Sequence, residues 1–211
     1  MQLPRGVRAE LRGVPKDLAD RIGLRILAAG MLVDEEPEQA LAHVLVARRL
    51  AARLPIVREA VAETAYAAGE WATALSEYRT LKRMRGGAEY LPVMADCERA
   101  LGRPREALAL VQSREVAQLG PDAQIELRIV EAGTRADMGQ HAEAERVLRQ
   151  TISHRVLEST ASDLARARVR YAYADRLAAR GDAAARQWFA KAAQLDTEHE
   201  TDAAQRAEAG E

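Results

Sequence analysis

The chain is short of cysteine, lysine and aromatic residues, and each shortage removes a class of protein. Cys97 is the single cysteine in 211 residues, so no internal disulfide and no multi-cysteine zinc site can form, and a reducing compartment fits best. No run approaches the ~18 apolar residues that a bilayer crossing needs. The opening "MQLPRGVRAELRGVPKDL" also has no apolar stretch of the kind a secretion signal requires. A cytoplasmic protein is the expectation. Net charge is close to zero as well, with 31 basic and 32 acidic side chains. The molecule therefore has no long-range field toward nucleic acid or membrane, and any charged site must be local. Only three of the 31 basic residues are lysine, a bias that fits a GC-rich bacterial genome better than a basic function.

Catalytic motifs are missing too. The sequence contains no GxxxxGK[ST], no GxSxG, no HExxH, and no GxGxxG following a strand. His43, His141, His154 and His199 are scattered without metal spacing, and are expected to be solvated. Cys97 lies in "MADCERAL" between Asp96 and Glu98, where flanking carboxylates oppose a thiolate, so an ordinary packed or surface cysteine is expected. The expectation is a non-enzymatic protein with no cofactor and no metal.

What the chain does contain is small apolar residues in helical order. Hydrophobic residues make up 48% and aromatics 4%, and abundant alanine favours helix. In "YAAGEWATALSEYRTL", Gly69 is followed by Ala74 at +5 and Tyr78 at +9; Gly102, Ala107 and Val111 repeat the offsets, as do Gly139, Ala144 and Leu148. Two degenerate copies place Ala40 with Val44, and Ala185 with Phe189. The five alanines stand 33 to 41 residues apart, the period of stacked helix pairs. Glycine ends the first helix in a left-handed cap, and the alanine lets the second helix cross closely over it.

On these residues the chain resembles a tetratricopeptide-repeat protein over about residues 20–197, with "AAGEWATALSEYRTL" and "WFAKAAQLD" nearest the family pattern. "YLPVMADCERALGRPREALAL" and "RVRYAYADRLAARGD" further resemble a group of actinobacterial tetratricopeptide proteins, a likeness that implies no particular activity. The expected architecture is all-α, a right-handed α-solenoid of about five helix pairs. These run near 16–33 with 37–53, 56–68 with 71–84, 88–101 with 104–117, 122–138 with 141–152, and 162–180 with 183–195. Residues 1–15 form an N-terminal extension, possible as a short helix over 5–13; 16–197 are the repeat domain; 198–211 are a polar cap and frayed tail. The stretch "SHRVLESTAS" reads as a loop.

The family fold implies a concave face lined by the first helix of each pair. In that register Glu59, Glu63 and Tyr66 face inward from the second repeat, Glu89, Asp96 and Arg99 from the third, Glu126 and Ile129 from the fourth, and Arg168, Tyr171 and Asp175 from the fifth. The middle of this groove reads as mainly acidic, suited to a partner with a basic segment. The Lys and Asn of the family's carboxylate clamp are absent at the matching positions, where Glu59 and Asp96 stand. A second surface gathers Arg48, Arg49, Arg53, Arg79, Lys82, Arg83 and Arg85 on the second helices, a possible phosphate-contacting patch without interleaved aromatics. The leading expectation is a protein-binding scaffold or adaptor. The alternative is a nucleic-acid or ribosome-associated factor using the basic patch, and a third reading is a structural oligomer stacked end to end.

Overall fold

The structure, a computed structural model, describes residue 3 and residues 5–208; the remaining terminal residues of the expected extension and tail lie outside the described residues. Among the described residues there are thirteen α-helices and no strand. The chain divides into two compact units at Tyr90 and Leu91. The first contains α1 (Arg5–Glu10), α2 (Lys16–Leu32), α3 (Pro37–Ala51), α4 (Pro55–Ala67) and α5 (Trp71–Arg85). The second contains α6 (Leu91–Ala100), α7 (Pro104–Val111), α8 (Pro121–Asp137), α9 (His141–Ile152), α10 (Arg155–Thr160), α11 (Asp163–Ala179), α12 (Ala184–Ala193) and α13 (Ala203–Glu208). Pairs pack as α2 with α3 and α4 with α5 in the first unit, and as α6 with α7, α8 with α9 and α11 with α12 in the second. The expected five pairs of an all-α helical-repeat fold are all present.

Local chemistry explains the pairing. Gly69, Gly102 and Gly139 have φ of 71°, 70° and 78°, a left-handed conformation that costs other residues roughly 1–2 kcal/mol. Each turn is closed in the same way. The next residue's N–H donates back to a carbonyl in the last helical turn: Glu70 to Ala65 at 2.8 Å, Arg103 to Glu98 at 2.9 Å, and Gln140 to Arg135 at 2.8 Å. Carbonyls left over at the helix end are thereby satisfied. Prolines mark the other boundary, since Pro37, Pro55, Pro104 and Pro121 each begin a helix, where the absent N–H costs nothing.

Packing follows the alignment. Ala40, Ala74, Ala107 and Ala144 are fully buried, and Ala185 nearly so. The residues four positions on, Val44, Tyr78, Val111, Leu148 and Phe189, are buried as well. Small and large side chains thus alternate along each second helix, the arrangement that lets two helices approach closely and still fill the groove between them.

Several boundaries differ from the sequence reading. The helix expected from 88 starts at Leu91, because the ring of Pro92 would clash with the carbonyl four residues earlier if the helix extended back past its first turn. Glu89 therefore sits in the preceding turn. The helix expected to 117 ends at Val111. A short 3₁₀ turn, Arg114–Gln118, follows, and at its start the hydroxyl of Ser113 accepts the Glu115 N–H. The "SHRVLESTAS" segment is not all loop: it holds α10, whose Leu157 is buried and donates its N–H to His154 Nδ1 at 3.4 Å. Residues 203–208 are a docked helix, not a frayed tail. Ala203 is fully buried, and the turn before it is tied to the buried Asp196, which accepts from the N–H groups of Glu200 and Thr201 and from the Thr201 hydroxyl.

Candidate functional site

In the second unit the first helices of the pairs pack in succession, α6 on α8 and α8 on α11. Between them opens a cavity of about 340 Å³. Its floor is apolar, made by Ile129, Ala132 and Ala136 of α8, Leu148 of α9, and Tyr171 and Ala172 of α11. Its rim is charged: Arg99 from α6, Asp137 from α8, and Arg168, Asp175 and Arg176 from α11. Thr201, in the turn before α13, stands at the edge.

Each rim guanidinium is held by a carboxylate. Arg99 donates from Nη1 to Asp96 at 2.7 Å and from Nε to Asp137 at 2.8 Å. Arg168 pairs with Glu126, its Nε 3.2 Å from a carboxylate oxygen. Asp175 is shared, accepting from Arg176 at 2.8 Å and from Arg206 of α13 at 3.0 Å. Arg206 also donates to the Tyr171 hydroxyl at 2.9 Å and lies over the Phe189 ring at 4.1 Å. In turn Tyr171 packs edge-on against Phe189 at 5.3 Å. The docked C-terminal helix therefore braces one wall of the cavity through charge, hydrogen bond and ring contact together.

The acids respond to these settings. Burial pushes the Glu126 carboxyl up; Arg168 pulls it back, and Asp122 and Asp96 add to the rise. Burial acts in the same direction on Asp175 but is outweighed by hydrogen bonds from Arg176 and Arg206, which leave that carboxyl below its ordinary value.

The groove residues expected from the sequence fall into two groups. Asp96, Arg99, Glu126, Ile129, Arg168, Tyr171 and Asp175 come together at or directly behind this cavity. The others belong to the first unit. Glu59 is bound by Arg85 at 2.7 Å, Tyr66 packs edge-on against Trp71 at 5.1 Å, and Glu89 lies in the turn before α6. Glu63 is exposed, with its carboxyl pushed up by partial burial and by Glu59. The register included Arg99 and Arg168 but gave no sign that they pair with the groove carboxylates. Asp137, Arg176 and Arg206 were not anticipated; the first two follow first-helix residues by the helical spacing of the groove register, whereas Arg206 sits in a segment that the sequence marks only as polar.

The arginine-rich surface of the first unit is largely bound internally. Glu77, buried on α5, accepts from Arg48 of α3 and Arg58 of α4, both at 2.6 Å. Arg85 is shared among Glu10, Glu59 and the Tyr90 hydroxyl. Arg83 donates to Thr80 at 2.8 Å. Arg79 and Lys82 have interaction partners of their own, and Arg49 and Arg53 are exposed.

Cys97 is fully buried, and burial together with Asp96 and Glu98 pushes its thiol up to about 12. Among the described residues no group of three or more His, Cys, Asp or Glu side chains is placed to hold a metal ion, and no helix is long and apolar enough to cross a membrane.

These features define an all-α protein built from successive packed helix pairs. Its fold matches the crystal structure of PlcR from Bacillus thuringiensis, solved in complex with the peptide PapR7 and DNA, with a TM-score of 0.60 at 13% identity over 94% of this chain and 77% of that one. No protein-family model matches the sequence, and no curated protein matches it either.

Proposed function

We propose that this chain is a non-enzymatic peptide-binding scaffold whose ligand occupies the cavity between α6, α8 and α11. The observation that carries the reading is the cavity's construction: an apolar floor large enough for side chains, ringed by oriented charged groups, as peptide sites require. Support also comes from the fold, which a peptide-binding protein shares at low identity. The burial of Cys97, which raises its thiol, agrees with a binding role, since a nucleophile needs an accessible, lowered thiol.

The nucleic-acid reading draws less support. Arg48 and Arg85 are engaged with Glu77, Glu10 and Glu59, and Arg79 and Lys82 have partners of their own, which leaves Arg49, Arg53 and Arg83 to exchange counterions with phosphates.

Panning a heptapeptide phage library against the immobilised full chain tests the proposal. Convergence on a motif is expected. Binding of the selected peptide should be lost in Ala172→Leu, which fills the floor, and retained in Arg49→Glu with Arg83→Glu. Failure to converge, or loss only in the arginine variant, overturns the proposal.

A further inference from the structure

The guanidiniums around the cavity have hydrogen-bonding capacity left over. Arg99, Arg168, Arg176 and Arg206 pair with Asp96, Asp137, Glu126 and Asp175, while Asp122 acts on Glu126 and Asp202 on the Tyr171 hydroxyl. A guanidinium, however, carries five N–H donors, in a fork that serves more than one acceptor. Arg168 stands with Nε 3.2 Å from a Glu126 oxygen, an ion pair rather than a hydrogen bond, and its side chain is 48% exposed. Arg176 spends one terminal nitrogen on Asp175. Arg99 spends Nε and Nη1 and keeps Nη2. On the acidic side, both oxygens of Asp175 are occupied, one by Arg176 and one by Arg206. The carboxylates orient the guanidiniums, and Arg168, Arg176 and Arg99 keep N–H groups that these carboxylates do not take, beside the rim carboxylate Asp137, which is 55% exposed and engages Arg99 through one oxygen.

We propose that this rim recognises a carboxylate side chain of the bound peptide, seated next to an apolar side chain that enters the floor. The inference rests on the peptide-binding reading above and reverses the charge that the sequence suggests for the partner. A charged acceptor makes the strongest use of paired N–H donors, and preformed carboxylate braces lower the entropy lost when the arginines engage. Apolar area beneath them, from Ile129, Leu148 and Tyr171, supplies the non-directional part of the affinity. Gly133 contributes by omission. A Cβ there would stand 3.2 Å from the Arg99 guanidinium carbon, so the missing side chain lets Arg99 lie flat across α8.

The composition of the motif selected in the panning experiment decides the matter. An Asp or Glu beside Leu, Ile, Val or Phe is expected, and replacing that acid by Asn or Gln should weaken the synthetic peptide at least tenfold in fluorescence anisotropy. Arg168→Gln with Arg176→Gln should weaken the acidic peptide by a similar factor and leave the amide peptide nearly unchanged, because the two losses are one interaction. Arg168→Glu should in turn prefer the peptide in which the acid is replaced by Lys, a gain that a misfolded variant cannot give. A converged motif that is basic or uncharged, or an acidic one indifferent to both arginines, overturns this inference and leaves peptide binding standing. Absence of any converged motif overturns both.

Discussion

A side chain at Gly133 would press on Arg99: the guanidinium carbon lies 3.2 Å from where a Cβ would be. Gly133 is inside α8, where alanine would favour the helix by roughly 1 kcal/mol, so stability does not explain the glycine. Gly133→Ala is expected to melt at or slightly above the parent temperature, since a flexible guanidinium can move a few tenths of an ångström. Peptide affinity should nevertheless fall, because Arg99 leaves the position set by Asp96 and Asp137. Calorimetric melting paired with anisotropy separates the effects. A variant that loses stability and keeps affinity would show that the glycine serves packing alone.

The buried alanines carry the architecture. Ala107 is fully buried where α7 crosses α6, and adding three carbons should overpack the crossing. Ala107→Leu is expected to cost about 1–3 kcal/mol, read as a lowered denaturation midpoint with an unchanged slope. A midpoint equal to the parent's would contradict the alignment that places Ala107 beside Ala74 and Ala144.

Most of this fold was legible because the repeat is written in local chemistry. Gly69, Gly102 and Gly139 mark left-handed caps, and the alanine at +5 marks the crossing, so helix pairs followed from spacing alone. Boundaries set by longer-range partners were not. Ala203–Glu208 folds because Asp196 fixes the preceding turn and Arg206 finds Asp175, Tyr171 and Phe189, residues 17 to 35 positions away. The site was half legible for the same reason. Helical register placed Arg99, Arg168, Tyr171 and Asp175 on one face, while the pairing that reverses the apparent acidity joins residues on different helices.

Acid should release α13 before it unfolds the chain. Burial raises Asp196 and Asp175, but hydrogen bonds from Thr201 and Glu200 on the first, and from Arg176 and Arg206 on the second, leave both carboxyls below their ordinary values. A carboxyl lowered in the folded state adds stability that is present above its unfolded pKa, ~3.9 for Asp, and is lost as pH falls through the folded value. The amide protection factors of residues 203–208, with the intrinsic pH dependence of exchange divided out, should hold steady from neutrality to about pH 4 and fall below it. A fall in protection beginning near pH 6 would assign the docking to other groups.

Cys97 should be chemically silent in the native protein. With the thiol buried and pushed up to about 12, alkylation by iodoacetamide at pH 8 is expected to proceed only through opening, with denaturant restoring the ordinary rate. Rapid native labelling would mean that α6 does not bury this residue.

Hydrogen exchange of the full chain, with and without the library-selected peptide, tests the central claim most directly. Occupation of the cavity predicts protection concentrated in α6, α8 and α11, with a smaller effect in the turn at Thr201 that edges it. Protection confined to α3 and α5, around Arg49, Lys82 and Arg83, would contradict the account and place the binding surface on the arginine-rich face of the first unit.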